Sequence, residues 1–337
     1  VGTDDGLVQL SRDRGETWNR LDQFPGVPER AQVSQLILSA HGENTVYVAF
    51  TAHEDNDFRP FVSKSTDFGA SWQSVTGNLP SDEPVRALIE HPRDPHLLFA
   101  GTEFGVFVSI NDGGNWVSMK GNLPTVAIHD MVIQTRENDL VLGTHGRGFW
   151  ILDDIGLLEE LTSETLASDS HLARVQPAPQ MHHLRKGRDS QGQGFYAAPN
   201  PPGGAIINYT IHPRVMTPPE KDGNDEDKWK APEVRLDILD ARDQLIRRLE
   251  PVQGEQGTGV QRLSWDLRHA LAYEPSPEER QSFFFGNLKG PFVLPGTYKV
   301  HLKVGDAVQT REIEVRGDPL VDIGSDDRQK MHDTLVA

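Results

Sequence analysis

The sequence predicts an all-β chain: a partial β-propeller through its first half, followed by an immunoglobulin- or fibronectin-like β-sandwich. Three observations predict it. An eight-residue pattern ending in tryptophan recurs three times before residue 120. Short apolar runs flank each copy at a period of roughly 45 residues, the spacing of four-stranded propeller blades. The second half then alternates apolar and polar residues in runs separated by tight-turn pairs.

The three copies are Ser11-Arg-Asp13-Arg-Gly15-Glu-Thr17-Trp18, Ser65-Thr-Asp67-Phe-Gly69-Ala-Ser71-Trp72 and Ser109-Ile-Asn111-Asp-Gly113-Gly-Asn115-Trp116. Gly2-Thr3, Phe50-Thr51 and Gly101-Thr102 precede them, with a fourth such pair at Gly143-Thr144, and Pro25, Pro80 and Pro124 close the units. One unit reads as four strands: Val85–Glu90, Leu97–Thr102, Val106–Ile110 and Asn115–Met119. The pattern therefore falls in the hairpin between strands three and four. There Asp13, Asp67 and Asn111 accept backbone N–H bonds, and Gly15, Gly69 and Gly113 supply a left-handed residue. Trp18, Trp72 and Trp116 are expected to pack on the neighbouring blade. Ser11, Ser65 and Ser109 open the turns. These residues read as scaffold.

Residues 1–153 contain one partial unit, two full units and three further strands, which is under four blades, whereas closed propellers have at least about four. The expectation is that these are C-terminal blades and that the remaining blades lie outside the sequence. Residues 154–203 read as a short helix followed by an extended, Pro-, Gln- and Gly-rich linker. Residues 204–318 hold the sandwich strands: 204–212, the hairpin of Val234–Leu239 and Gln244–Leu249, Val260–Leu267, and the pair Gly296–Val304 and Ala307–Val315 around Gly305-Asp306. Residues 216–230 read as a polar excursion, and 319–337 as the start of a C-terminal helical segment.

The octets resemble the Asp-box of BNR-repeat proteins, which include sialidases, xyloglucanases and sortilin-type propellers. More widely, Gly143-Thr-His-Gly-Arg-Gly-Phe-Trp-Ile-Leu-Asp-Asp154, Asn200-Pro-Pro-Gly-Gly-Ala-Ile-Ile-Asn-Tyr209, Leu263-Ser-Trp-Asp-Leu-Arg268 and Leu294-Pro-Gly-Thr-Tyr298 resemble a bacterial family of large exported proteins with a sortilin-like propeller and an appended Ig-like domain, often labelled glycosyl hydrolase, BNR repeat. The resemblance implies export (periplasm, outer surface or secretion), with the signal peptide outside this sequence. Its hydrolase label rests on the repeats, which are structural.

Composition narrows the function classes. A formal charge of -17 opposes nucleic-acid binding, because a phosphate backbone would be repelled. Acidity leaves Ca²⁺ as the only cofactor to consider. Zero cysteines exclude a disulfide framework, a thiolate metal site and a cysteine nucleophile. No run approaches ~18 apolar residues, so no membrane span is expected.

Propellers bind ligands on the face formed by the loops between strands two and three and the connectors between blades. The candidates there are Asp4, Asp5, Asp55, Asp57, Arg59, Glu103, His145 and Arg147. A glycosidase needs two carboxylates about 5–10 Å apart, and none of these acids is singled out as such a pair. Arg147 can bind a carboxylate or other anion. His53, His129, His145 and the His182-His183 pair lack the spacing of metal ligands, so no metal site is expected. The chain is therefore read as a non-catalytic module binding a protein, peptide or glycan. Two alternatives stay open: a glycoside hydrolase with its carboxylates mostly in other blades, and an accessory subunit of a larger assembly.

Overall fold

The computed structural model describes residues 1–181, 203–218, 229–271, 273 and 289–336. His182-His183, most of the Pro-rich linker, the start of the Asn200–Tyr209 motif and the centre of the polar excursion lie outside the described residues. The chain is all-β and forms two compact units, Val1–Leu161 and Thr162–Ala337.

The first unit contains β1 (Val8–Leu10), β2 (Asn19–Leu21), β3 (Gln32–Leu38), β4 (Val46–Ala52), β5 (Asp57–Ser65), β6 (Gln73–Ser74), β7 (Val85–Glu90), β8 (Leu98–Thr102), β9 (Val106–Ser109), β10 (Val117–Ser118), β11 (Ile128–Gln134), β12 (Asp139–Thr144) and β13 (Phe149–Leu152), then α1 (Gly156–Glu159). They pair as antiparallel meanders in chain order: a hairpin β1-β2, the four-stranded sheets β3-β4-β5-β6 and β7-β8-β9-β10, and a three-stranded sheet β11-β12-β13. The first strands lie side by side, β3 against β7 and β7 against β11. This is the blade order of a propeller-type array. Central strands read as continuous apolar runs because both faces are covered: every residue of β4, β8 and β9 is buried.

Each octet closes through side-chain to backbone hydrogen bonds. Asp13, Asp67 and Asn111 accept the amides of Thr17, Ser71 and Asn115 at 2.8, 2.9 and 2.8 Å. The opening serines accept Gly15, Gly69 and Gly113 N–H. The residue before each glycine is left-handed too (Arg14 φ 59°, Phe68 φ 56°, Asp112 φ 58°). Two consecutive left-handed residues give the mirror-image turn that matches strand twist.

Register corrects one sequence alignment. Phe50 pairs with Val33 as Thr102 pairs with Val85 and Thr144 with Ile128, so Ala49-Phe50, not Phe50-Thr51, is the counterpart of Gly101-Thr102. At Gly101 and Gly2 the glycine is forced by the next sheet: a Cβ on Gly101 would lie 2.8 Å from Ile128, and one on Gly2 would lie 2.4 Å from Val33.

The tryptophans also part from a uniform pattern. Trp116 is 3% exposed and sits in the core between the second and third sheets with Tyr47, Val75 and Leu79. Its Nε1 donates to Val75 O at 3.1 Å, and Asn78 bonds both its backbone N–H (2.6 Å) and its C=O (3.2 Å). Trp72 is half-buried against Phe24, ring centroids 5.1 Å apart. Trp18 is 50% exposed, against the expectation, and its Nε1 turns back to Gly15 O. The fourth sheet has no octet: Leu152 replaces the opening serine, and Ile155 and Leu158 of the α1 segment pack instead with Met119 and Leu123.

The second unit contains α2 (Ser163–Ala167), β14 (Ser170–Leu172), β15 (Ala178–Pro179), β16 (Ala205–Ile211), α3 (Pro213–Met216), β17 (Val234–Leu239), β18 (Leu245–Leu249), β19 (Gly259–Trp265), β20 (Gly296–Val304), β21 (Ala307–Arg316) and α4 (Ser325–Val336). Sheets β14-β16-β19 and β15-β21-β20-β17-β18 share one apolar core. The sequence predicts only antiparallel pairs; β15 joins β21 in parallel. Two of the motifs meet in the core, where the Trp265 and Tyr298 rings pack edge to face at 5.4 Å. Their polar atoms are satisfied locally by Arg268 O and Leu294 O.

Candidate functional site

The innermost strands share one irregularity. Each of β3, β7 and β11 has a bulge after its first paired positions, between Val33 and Gln35, Val85 and Ala87, and Ile128 and Asp130. The extra residues are Ser34, Arg86 and His129. A bulge inserts one residue and re-aims its side chain, so three adjacent strands place a polar group at the same level, at the end carrying the loops between strands two and three. Ser34 Oγ reaches across to Val85 O at 2.7 Å. Arg86 forms an ion pair with Glu103. The His129 ring lies 5.0 Å from that of His145, tilted by 33°. In two sheets out of three, the bulge residue thus meets the side chain of the facing loop.

Of the sequence candidates, Glu103 and His145 join this row. The others do not. Asp5 accepts the Thr3 hydroxyl within its own turn, while Asp4 is exposed beside it. Asp55 closes a short 3₁₀ turn over His53–Asp55. Asp57 and Arg59 clasp each other, Nε to Oδ1 at 2.9 Å and NH2 to Oδ2 at 2.6 Å. Those hydrogen bonds hold the Asp57 carboxyl below the usual range, the reverse of what a proton donor needs. Arg147 is exposed in the loop between Gly146 (φ 77°) and Gly148 (φ 72°), and its carbonyl accepts Trp150 Nε1. Arg86 and Ser34 are the residues that sequence reasoning missed. The sequence alone does not mark them, because a polar residue after Val33, Val85 or Ile128 is what ordinary alternation gives.

A cleft of about 260 Å³ opens beside Arg59, lined by Pro25, Val27, Phe61, Ser63 and Thr76 among others. Ser63, on its wall, occupies the place that Phe107 fills in the next sheet. Its Oγ is buried and makes no hydrogen bond among the described residues.

The far ends of the same strands are tied by a buried polar network. Glu90 accepts Tyr47 OH (3.1 Å), Ser39 Oγ (3.0 Å) and Ala40 N–H (2.9 Å). Burial, then Glu90, pushes the Tyr47 hydroxyl far up. Next to it the fully buried His91 meets Asn138, which donates to Glu159 at 2.6 Å; Arg93 also donates to Glu159, at 2.8 Å. Burial lowers the His91 pKa. Burial alone would raise Glu159, but the hydrogen bonds from Arg93 and Asn138 outweigh it and hold it low. Every member has an evident structural partner, so this end is a clamp between sheets.

Among the described residues, no three His, Asp or Glu side chains converge as a metal site, and no helix is long and apolar enough to cross a membrane.

No protein-family model and no curated protein matches the sequence. Solved structures similar to parts of it include an ancestral GH74 enzyme, with 26% identity over 35% of this chain and 14% of that one (TM-score 0.29). The GH74 xyloglucanase of Xanthomonas campestris shows 11% identity over 92% and 42% (TM-score 0.38). PorZ, a surface component of the type-IX secretion system of Porphyromonas gingivalis, shows 15% identity over 90% and 41% (TM-score 0.33). The chain spans less than half the length of each.

Proposed function

We propose that this chain is part of an exported, non-catalytic propeller module that binds a protein, peptide or glycan on the face carrying Ser34, Arg86, Glu103, His129 and His145. The observation that carries this reading is the bulge repeated at one position in three adjacent strands, which spends backbone pairing to aim polar side chains. Guanidinium and imidazole groups aligned in this way suit carboxylate or hydroxyl oxygens. Export rests on the resemblance of the motifs to exported bacterial proteins. The second unit is read as an Ig- or fibronectin-like spacer.

A hydrolase reading is less well supported: Asp57 is neutralised by Arg59 and Glu103 is paired with Arg86, so neither is poised as a free acid or base. The test is an array of glycans and acidic peptides probed with the intact chain and with the double variant R86A/H129A. A ligand bound by the intact chain should bind at least ~10-fold more weakly to the variant, the loss expected for two charge-assisted contacts. Binding that ignores both substitutions contradicts the assignment. Release of reducing ends from xyloglucan, abolished by Glu103→Gln, would replace it with the enzymatic reading.

A further inference from the structure

The last helix of the second unit is held by very little contact. None of the 12 residues of α4 is buried, and only Arg328 and His332, one turn apart on one face, are partly covered. Met331, Leu335 and Val336 are exposed, so no apolar stripe seats the helix. The Arg328 guanidinium lies against Gly317. His332 reaches the segment that follows β19, where its Nε2 meets His269 Nε2 at 3.0 Å, with ring centroids 5.2 Å apart. Among the described residues this is the side-chain hydrogen bond that joins α4 to the rest of its unit; the others made by its side chains stay within the helix. A helix of about this length is marginal by itself in water. The histidine contact therefore weighs heavily on whether α4 stays folded and docked.

We infer that His269 and His332 form a pH-sensitive latch on α4, closed while at least one imidazole is neutral and open once both carry a proton. A neutral pair needs opposite tautomers, since one Nε2–H must donate to the other's Nε2 lone pair. Asp333 Oδ1 lies 3.4 Å from His332 Nδ1, which assigns the Nδ1 proton to His332 and makes His269 the donor. One added proton keeps the bond, now charge-assisted between imidazolium and imidazole. A second proton leaves two N–H groups facing each other and two positive charges side by side, so the bond is lost. Two neighbouring cations favour opening: Arg328 stands one turn from His332, and Arg268, next to His269, lies over the Phe292 ring. Asp333 and Asp266 oppose them, but Asp266 is already engaged by Arg247, which also donates to His269 O. Burial, then the charge of His332, holds the His269 pKa below its ordinary value of 6.5. The latched state thus resists a proton that the open state accepts. Its contribution is complete above about 6.5 and is lost as pH falls through the lowered value.

The test follows amide exchange of the α4 residues in the intact chain from about pH 7.5 to about pH 4.5, corrected for the intrinsic pH dependence of exchange. Protection of the helix should fall at least ~10-fold over this range, the factor that corresponds to one pKa unit, while the β20 and β21 amides keep theirs. His332→Gln takes up no proton, so its helix should show one level of protection throughout; His269→Gln should do the same from the other side. Imidazole resonances add a readout that a purely structural contact would not move. In the intact chain the pair should titrate in two separated steps. In His332→Gln the single step of His269 should move up toward its ordinary value, because the charge of His332 is gone. Helix amides unprotected at about pH 7.5, protection that ignores pH, or a fall of equal size in both variants would overturn the inference. So would loss of β20 and β21 protection at the same pH, which would make the transition an unfolding of the unit and not a release of the helix.

Discussion

Trp116 shows how much the position of a residue in the array matters. Trp18, Trp72 and Trp116 close the same pattern, yet only Trp116 is fully enclosed and bonded to the preceding sheet. Replacing a buried aromatic leaves a cavity, so Trp116→Ala should destabilise the first unit by about 3–5 kcal/mol in urea unfolding, and Trp18→Ala by much less. Gly113 is as specific: it is left-handed (φ 81°), and a Cβ there would lie 2.7 Å from Val75 O. The aspartates have their own signature. Hydrogen bonds from the Thr17 side chain and amide, then Ser11, bring Asp13 down to about 2; Ser71 and Ser65 do the same for Asp67. A lowered carboxyl favours the folded state while ionised. Its contribution is complete above the ordinary value of 3.8 and fades as pH falls toward about 2. Asp67→Asn should flatten this part of the acid-unfolding curve while retaining the turn, since Asn111 makes the same amide bond.

At the scale of elements, the clamp at the far end of β3, β7 and β11 joins three sheets, Glu90 tying the β3 sheet to β7 and His91 with Asn138 and Glu159 tying β7 to the β11 sheet. Burial keeps His91 neutral by lowering its pKa, so the folded state resists a proton that the unfolded chain accepts. Stability from this source is complete above about 6.5 and declines as pH falls below it. His91→Gln should remove the loss of stability that sets in below about pH 6.5 in thermal melts, even if the variant is less stable throughout. The strands themselves were legible in the sequence, because turn pairs bracket short apolar runs; Val85–Glu90 is an instance. The bulges were not. Period-two alternation sets which face a residue takes, and one inserted residue such as Arg86 is indistinguishable from ordinary variation until its partner strand is known. The candidate site was legible only at Glu103 and His145, which lie in loops, since Ser34 and Arg86 acquire their meaning from register.

For the whole molecule, the two units have separate cores, and that of the second is built around Trp265 and Tyr298. Trp265→Ala should therefore lower the unfolding transition of the second unit and leave that of the first in place, as read by near-UV circular dichroism. The first unit depends on sheets holding each other in sequence through the tryptophan hairpin. The repeat contains its own control. Asn78 and Asn122 occupy the same place in the Gly-Asn-Leu-Pro segments of two sheets, but only Asn78 meets a following tryptophan, bonding Trp116 N–H and C=O. Equilibrium unfolding of Asn78→Ala and Asn122→Ala compares an occupied lock with an empty one. Locking between sheets predicts a loss of about 1–2 kcal/mol for Asn78→Ala and within about 0.5 kcal/mol for Asn122→Ala. Equal losses would mean that the segment serves only its own turn, and that the sheets are not held together by this contact.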